Sequence, residues 1–107
     1  MKQYINSKKI QAFVTKVETK KKFKRDTNLI FRHLVEEVGE CSRALWHYEL
    51  FCTTGMKSGA RKDVAKELVD IISLCVYLAD VLHEDLNEIF PIRIREIAKQ
   101  YMVNHKE

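Results

Sequence analysis

Turn-forming residues are scarce in this sequence: 107 residues hold three glycines and one proline. A sheet protein needs a turn signal every few residues, so the scarcity points away from a β-sandwich and towards long helices. Cysteine is scarce too: Cys41, Cys52 and Cys75 are odd in number, and no two stand in a CxxC spacing. That argues against a disulfide framework and a zinc knuckle, and it leaves Cys41 and Cys75 as small apolar residues suited to a helix interior. No apolar run is long enough to span a bilayer. The longest, Leu68 to Ala79, is interrupted by Asp70 and Ser73. Met1-Lys2-Gln3-Tyr4 contains no apolar targeting segment. The expectation is a cytoplasmic protein with no membrane partner.

With hydrophobic residues at 46% and charged residues at 32%, the composition is that of a folded globular chain. The length suits one domain, residues 1–107, with a modest core. The formal net charge of +4 is unevenly spread, because residues 1–32 hold ten basic residues against two acidic ones, Glu18 and Asp26. The remainder holds nine basic and thirteen acidic residues. A basic arm can meet phosphates, and an acidic body can hold divalent cations.

Hydrophobic periodicity predicts four helices. The first runs from about Ser7 to Lys22, with Ile10, Phe13, Val14 and Val17 on one face and a basic run, Lys20 to Arg25, at its end. The second starts after Asp26 or Thr27, both good N-caps, and reaches about Phe51. A loop through Thr53-Thr54-Gly55 and Ser58-Gly59 follows. The third covers about Arg61 to Leu82, and the fourth about Asp85 to His105, with Pro91 expected to kink it or mark a restart. Four helices of this length suggest an antiparallel bundle. The third is apolar nearly all round, through Val64, Leu68, Ile71, Ile72, Cys75, Leu78, Ala79 and Leu82 with Val69, Val76 and Tyr77. Such a helix is buried on every side, which a chain this small achieves most simply by pairing with a second copy about a two-fold axis.

Against that frame, four acids fall where acids are not expected. At about 100° per residue, Glu37 lies about 20° from Ile30, inside the stripe made by Ile30, Leu34, Cys41 and Leu45. Glu40 borders the same stripe one turn on. In the third helix Glu67 projects between Ile71 and Leu74, and Asp70 sits at the edge of that arc. Residues three apart are neighbours on a helix, so each helix offers a carboxylate pair turned partly inward. Like charges in an apolar setting repel and are costly to desolvate. Arg43 and Lys66, the nearest cations in sequence, are expected to point elsewhere by helical phase. A hard divalent cation, Mg²⁺ or Mn²⁺, is the simplest counter-charge for carboxylate ligands. One acid pair alone is commonly a solvated face; two pairs intruding on apolar faces of adjacent helices are less easily dismissed.

The segments His33-Leu34-Val35-Glu36-Glu37-Val38-Gly39-Glu40-Cys41 and Lys66-Glu67-Leu68-Val69-Asp70-Ile71, with 26 residues between Glu40 and Glu67, resemble the EExxE…ExxD signature of the MazG-like, all-α NTP pyrophosphatase superfamily. The likeness covers about Asp26 to Glu96 and includes Leu78-Ala79-Asp80 and Asp85-Leu86. It implies a MazG-type helical bundle completed by oligomerisation, as a homodimer or homotetramer. It also implies hydrolysis of a nucleoside or deoxynucleoside triphosphate to the monophosphate and pyrophosphate. Carried over residue by residue, the Mg²⁺ ligands are Glu37, Glu40, Glu67 and Asp70, and Glu36 or Glu37 orients or deprotonates the attacking water. The family often places Lys, Asn and Arg along its last helix to meet phosphates. Here Arg93, Arg95 and Lys99 stand in that region, in a register that departs from the pattern.

Trp46, with Tyr48, Phe31 and Phe51, offers aromatic surface for a nucleobase, although aromatics at helical spacing are commonly core or interface. His33, one turn before Glu37, is expected beside the site; His47, His83 and His105 join no motif. A ferritin-type di-iron centre needs Glu-x-x-His on two helices, and no Glu stands three residues before a His here. The alternative to an enzyme is a non-catalytic bundle that binds nucleotides or, through Lys16, Lys20 and Lys24, nucleic acid. No aromatic-basic RNA motif accompanies those lysines, so nucleic acid is the less expected partner.

Overall fold

The computed structural model describes residues 6–20, 26–54 and 59–101. They form four helices, α1 (Ser7–Lys20), α2 (Thr27–Thr54), α3 (Ala60–Val81) and α4 (Leu86–Gln100), and no strand among the described residues. The basic run at 21–25, the loop at 55–58, the side chain of Phe51 and the extension towards His105 lie outside the described residues. Thr53 and Thr54, expected in the loop, instead extend α2.

Side-chain caps set three of the helix starts. Asn6 Oδ1 accepts the Lys9 N–H at 3.2 Å. Asp26 Oδ1 accepts the N–H groups of Asn28 and Leu29 at 2.8 and 3.2 Å. Asp85 Oδ1 accepts the Asn87 N–H at 2.9 Å. Each satisfies donors that the first helical turn leaves open. Helix α4 runs without a restart through Pro91. Its ring sits one and a half turns past the cap and removes a single intrahelical N–H donor.

At the end of α3 the chain reverses through a Schellman turn. The N–H of Glu84 returns to Ala79 O and that of His83 to Asp80 O, both at 2.9 Å. This turn requires a left-handed residue, usually glycine, and His83 occupies that place with φ 60°. A side chain there is strained by about 1–2 kcal/mol. His83→Gly is therefore expected to raise stability by about 1 kcal/mol, less what glycine costs through unfolded-state entropy; a urea melt showing a loss would refute the strain.

The α2–α3 pair is an antiparallel hairpin and the main packed unit, and α1 lies along α3. Ile30 and Tyr77, 0% and 2% exposed, anchor the core with Val14; Ile10, Leu78 and Val81 pack against them. Helices α1 and α3 are also joined at Gln11, whose amide donates to Asp80 Oδ1. Helix α4 makes only marginal contact with the others. The molecule is accordingly a slab of 45 × 44 × 22 Å with a radius of gyration of 16.7 Å, against about 13 Å for a close-packed chain of this size. The bundle is thus not closed within one chain. Val38 and Leu45 of α2 and Leu68 and Ile72 of α3 stay 44–50% exposed. By helical phase they lie on the side of the hairpin away from α1. No helix among the described residues is long and apolar enough to cross a membrane.

Candidate functional site

Antiparallel pairing of α2 and α3 places Glu37 opposite Glu67 and Asp70. One carboxylate oxygen from each lies within 4.8 Å of the others. Glu37 and Glu67 are half-buried and Asp70 is exposed; the Glu37 side chain is 14% exposed. Its Oε1 is 3.2 Å from His33 Nε2, one turn earlier on α2, a hydrogen bond whenever that nitrogen carries the proton. Glu37 Oε2 and Glu67 Oε2 are buried with no hydrogen-bond partner. Two ionised carboxylates cannot donate to each other, so their contact becomes a hydrogen bond only when one holds a proton. Burial pushes the Glu37 carboxyl above its ordinary 4.5; the Glu40 charge, that hydrogen bond to Glu67 and the Asp70 charge push the same way, and His33 opposes them.

Such a cluster fits a divalent cation. Opposed ligand oxygens stand about 4.2 Å apart around Mg²⁺ and about 5 Å around Ca²⁺, so three oxygens within 4.8 Å can surround one ion after small side-chain adjustments. Glu37 and Glu67 each keep a buried, unpartnered oxygen for the purpose, and the donor set is all oxygen, as hard cations require. Glu40, also expected among the ligands, is exposed and falls outside the tight trio, although its charge is felt at Glu37.

Two clefts flank the acids. One, of about 180 Å³, lies under α1 and is lined by Phe13, Val14, Val17, His33, Glu37, Asp70, Ser73 and Leu74. The other, of about 410 Å³, lies towards the connected end of the hairpin and is lined by Glu40, Arg43, Ala44, His47, Gly59, Ala60, Asp63 and Glu67. Arg43 and His47 therefore belong beside the acids. The expectation that Arg43 points away by helical phase is corrected: it sits at the edge of the face carrying Glu40, where a long side chain reaches the cleft. Lys66 lines neither cleft.

The remaining sequence candidates stand apart. Glu36 is exposed and lines neither cleft. Trp46, 59% exposed, meets the ring of His47 edge-on at 5.1 Å and also lines neither. Arg93, Arg95 and Lys99 are on α4, away from the acids of their own chain. Arg93 pairs with Glu96 across 3.5 Å on a solvated face. Arg95 and Lys99 share a side of the helix, with Arg93 about 160° round from Arg95. Sequence reasoning missed the part played by α1. Its Phe13 and Val17 read as ordinary core positions, and only the α1–α3 contact places them over the acids.

No family model matches the chain, and neither a curated protein nor a solved structure matches it.

Proposed function

We propose that the chain is a magnesium-dependent nucleoside triphosphate pyrophosphohydrolase of the MazG type, acting in the cytoplasm as a homodimer or homotetramer. The observation that carries this reading is the convergence of Glu37, Glu67 and Asp70 within 4.8 Å, two of them with buried oxygens left unpartnered. Such an arrangement is costly unless a cation occupies it. The same residues carry the EExxE…ExxD resemblance.

When bound, Mg²⁺ (or Mn²⁺) neutralises phosphate charge and lowers the pKa of a bound water. Glu37 and Glu67 would hold the ion from the hairpin seam, with His33 fixing the rotamer of Glu37 through Oε1. Asp70 completes the trio from the exposed side, where substrate arrives. The proton released by the attacking water needs a carboxylate nearby that is not a ligand. Glu40, one turn from Glu37 and open to the larger cleft, is better placed for this than Glu36. The charge of the departing pyrophosphate falls to Arg43 and His47 within one chain. Arg93, Arg95 and Lys99 reach a site only if assembly carries α4 of one copy to another. The exposed apolar residues of the hairpin and of α4 supply the reason to assemble.

The test is a panel of ribo- and deoxyribonucleoside triphosphates with Mg²⁺, with Mn²⁺ and with a chelator, products being resolved by ion exchange. Monophosphate and pyrophosphate without diphosphate, lost on chelation, are expected. No turnover with either metal would discard the hydrolase and favour a bundle that only binds nucleotides.

A further inference from the structure

The cleft beneath α1 opens directly on Glu37 and Asp70, yet half of its lining, Phe13, Val14, Val17 and Leu74, is apolar and contributes nothing to holding a cation. Phe13 stands at its lip, 66% exposed. A large ring left so open by folding is not serving the core, which takes Val14 from the same turn of α1. At about 180 Å³ the cleft is smaller than the ~300–1,000 Å³ of sites that enclose a whole small molecule. It therefore suits one flat fragment of a ligand whose remainder lies elsewhere. Its polar edge includes Ser73. The Ser73 hydroxyl donates to Val69 O at 2.8 Å, so it turns lone pairs, not a proton, towards the space. That edge accepts from an N–H donor.

Resting on the hydrolase reading, we infer that this cleft is the base site. The nucleobase stacks on Phe13 with its N–H edge towards Ser73. The triphosphate crosses the acid trio, and its outer phosphates enter the larger cleft at Arg43 and His47. The two clefts flank Glu37 and its partners on opposite sides, which puts the α-phosphorus over the cation site and sends the leaving group towards Arg43 and His47. The substrate is thereby a base-bearing triphosphate, bound more tightly than inorganic polyphosphate.

The test compares binding of non-hydrolysable α,β-methylene nucleoside triphosphates and of inorganic tripolyphosphate, by calorimetry with Mg²⁺. Wild-type protein is expected to favour the nucleotides. Phe13→Ala should weaken them about tenfold, the worth of one aromatic stack, and leave tripolyphosphate unaffected, whereas Phe13→Trp should restore nucleotide affinity. Arg43→Ala should weaken both ligands. Equal affinity for tripolyphosphate in the wild type, an unchanged nucleotide affinity in Phe13→Ala, or an equal loss of both ligands there would overturn the base site. Pyrophosphate release is scored separately. Phe13-dependent nucleotide binding without release keeps the base site and drops the hydrolase. Release that Phe13→Ala does not slow, with binding likewise unchanged, does the reverse.

Discussion

Glu67→Gln is expected to stop pyrophosphate release and, in the same molecule, to make the metal-free protein more stable. The activity loss follows from removing one of three charged oxygens that converge within 4.8 Å. Loss of an outer partner of a metal ligand typically costs 10–100-fold, so loss of a ligand should cost at least about 100-fold in Mg²⁺ affinity. The stability gain has a separate cause. The amide carries no charge and can donate to Glu37 Oε2, which otherwise has no partner. Satisfying such a buried acceptor is worth roughly 1–3 kcal/mol. The pH dependence gives the same diagnosis. The Glu37 carboxyl is raised above 4.5 in the fold, so the folded chain holds its proton more tightly than the unfolded one. That contribution is fully present below pH 4.5 and is lost as pH rises through the raised value. Thermal melts in chelator should show the decline, Mg²⁺ should suppress it, and Glu67→Gln should flatten it. A wild-type melting temperature that ignores both pH and Mg²⁺ would mean the acids are not a cation site.

Ile72→Glu carries the second large effect. Ile72 is 44% exposed in the single chain, so a longer polar side chain there leaves the Ile30–Tyr77 core untouched. In a two-fold assembly on this face the substitution enters the interface twice, and an unpaired buried charge costs about 3–5 kcal/mol. Sedimentation should show the wild type as a dimer or tetramer and Ile72→Glu as a folded monomer at the same concentration. An unchanged assembly would move the interface elsewhere. If α4 cations complete a neighbouring site, the monomer also loses turnover while keeping its Mg²⁺-dependent melting shift.

The parts of this molecule that the sequence displays are those governed by short-range periodicity. Glu37 and Glu67 could be picked out because each falls inside an apolar stripe of its own helix, and three-residue spacing ties Glu40 and Asp70 to them. The caps at Asp26 and Asp85 are legible for the same reason. What periodicity does not give is which helix covers which. Phe13 and Val17 come to line a cleft beside the acids only when α1 is laid over Asp70 and Ser73, a contact between residues more than fifty positions apart. Arg43 shows a subtler limit, since phase fixes the direction of its Cα–Cβ bond but not the reach of a long side chain. The cations of α4 show the largest one, because their meaning depends on a packing that one chain does not complete. Pro91, expected to kink the helix or mark a restart, marks no restart, because it falls where only a single donor is lost.

The loose attachment of α4 has a further consequence. A fifteen-residue helix with little packed against it is near the length at which helices in water barely hold together. It should therefore fray and re-form without the hairpin opening, and its amides should exchange with solvent far sooner than those around Tyr77. Assembly would change that by burying Phe90 and Ile97. The helical content of this protein would then depend on how much of it is present, so that dilution alone unwinds about a fifth of the described helix before the core is disturbed.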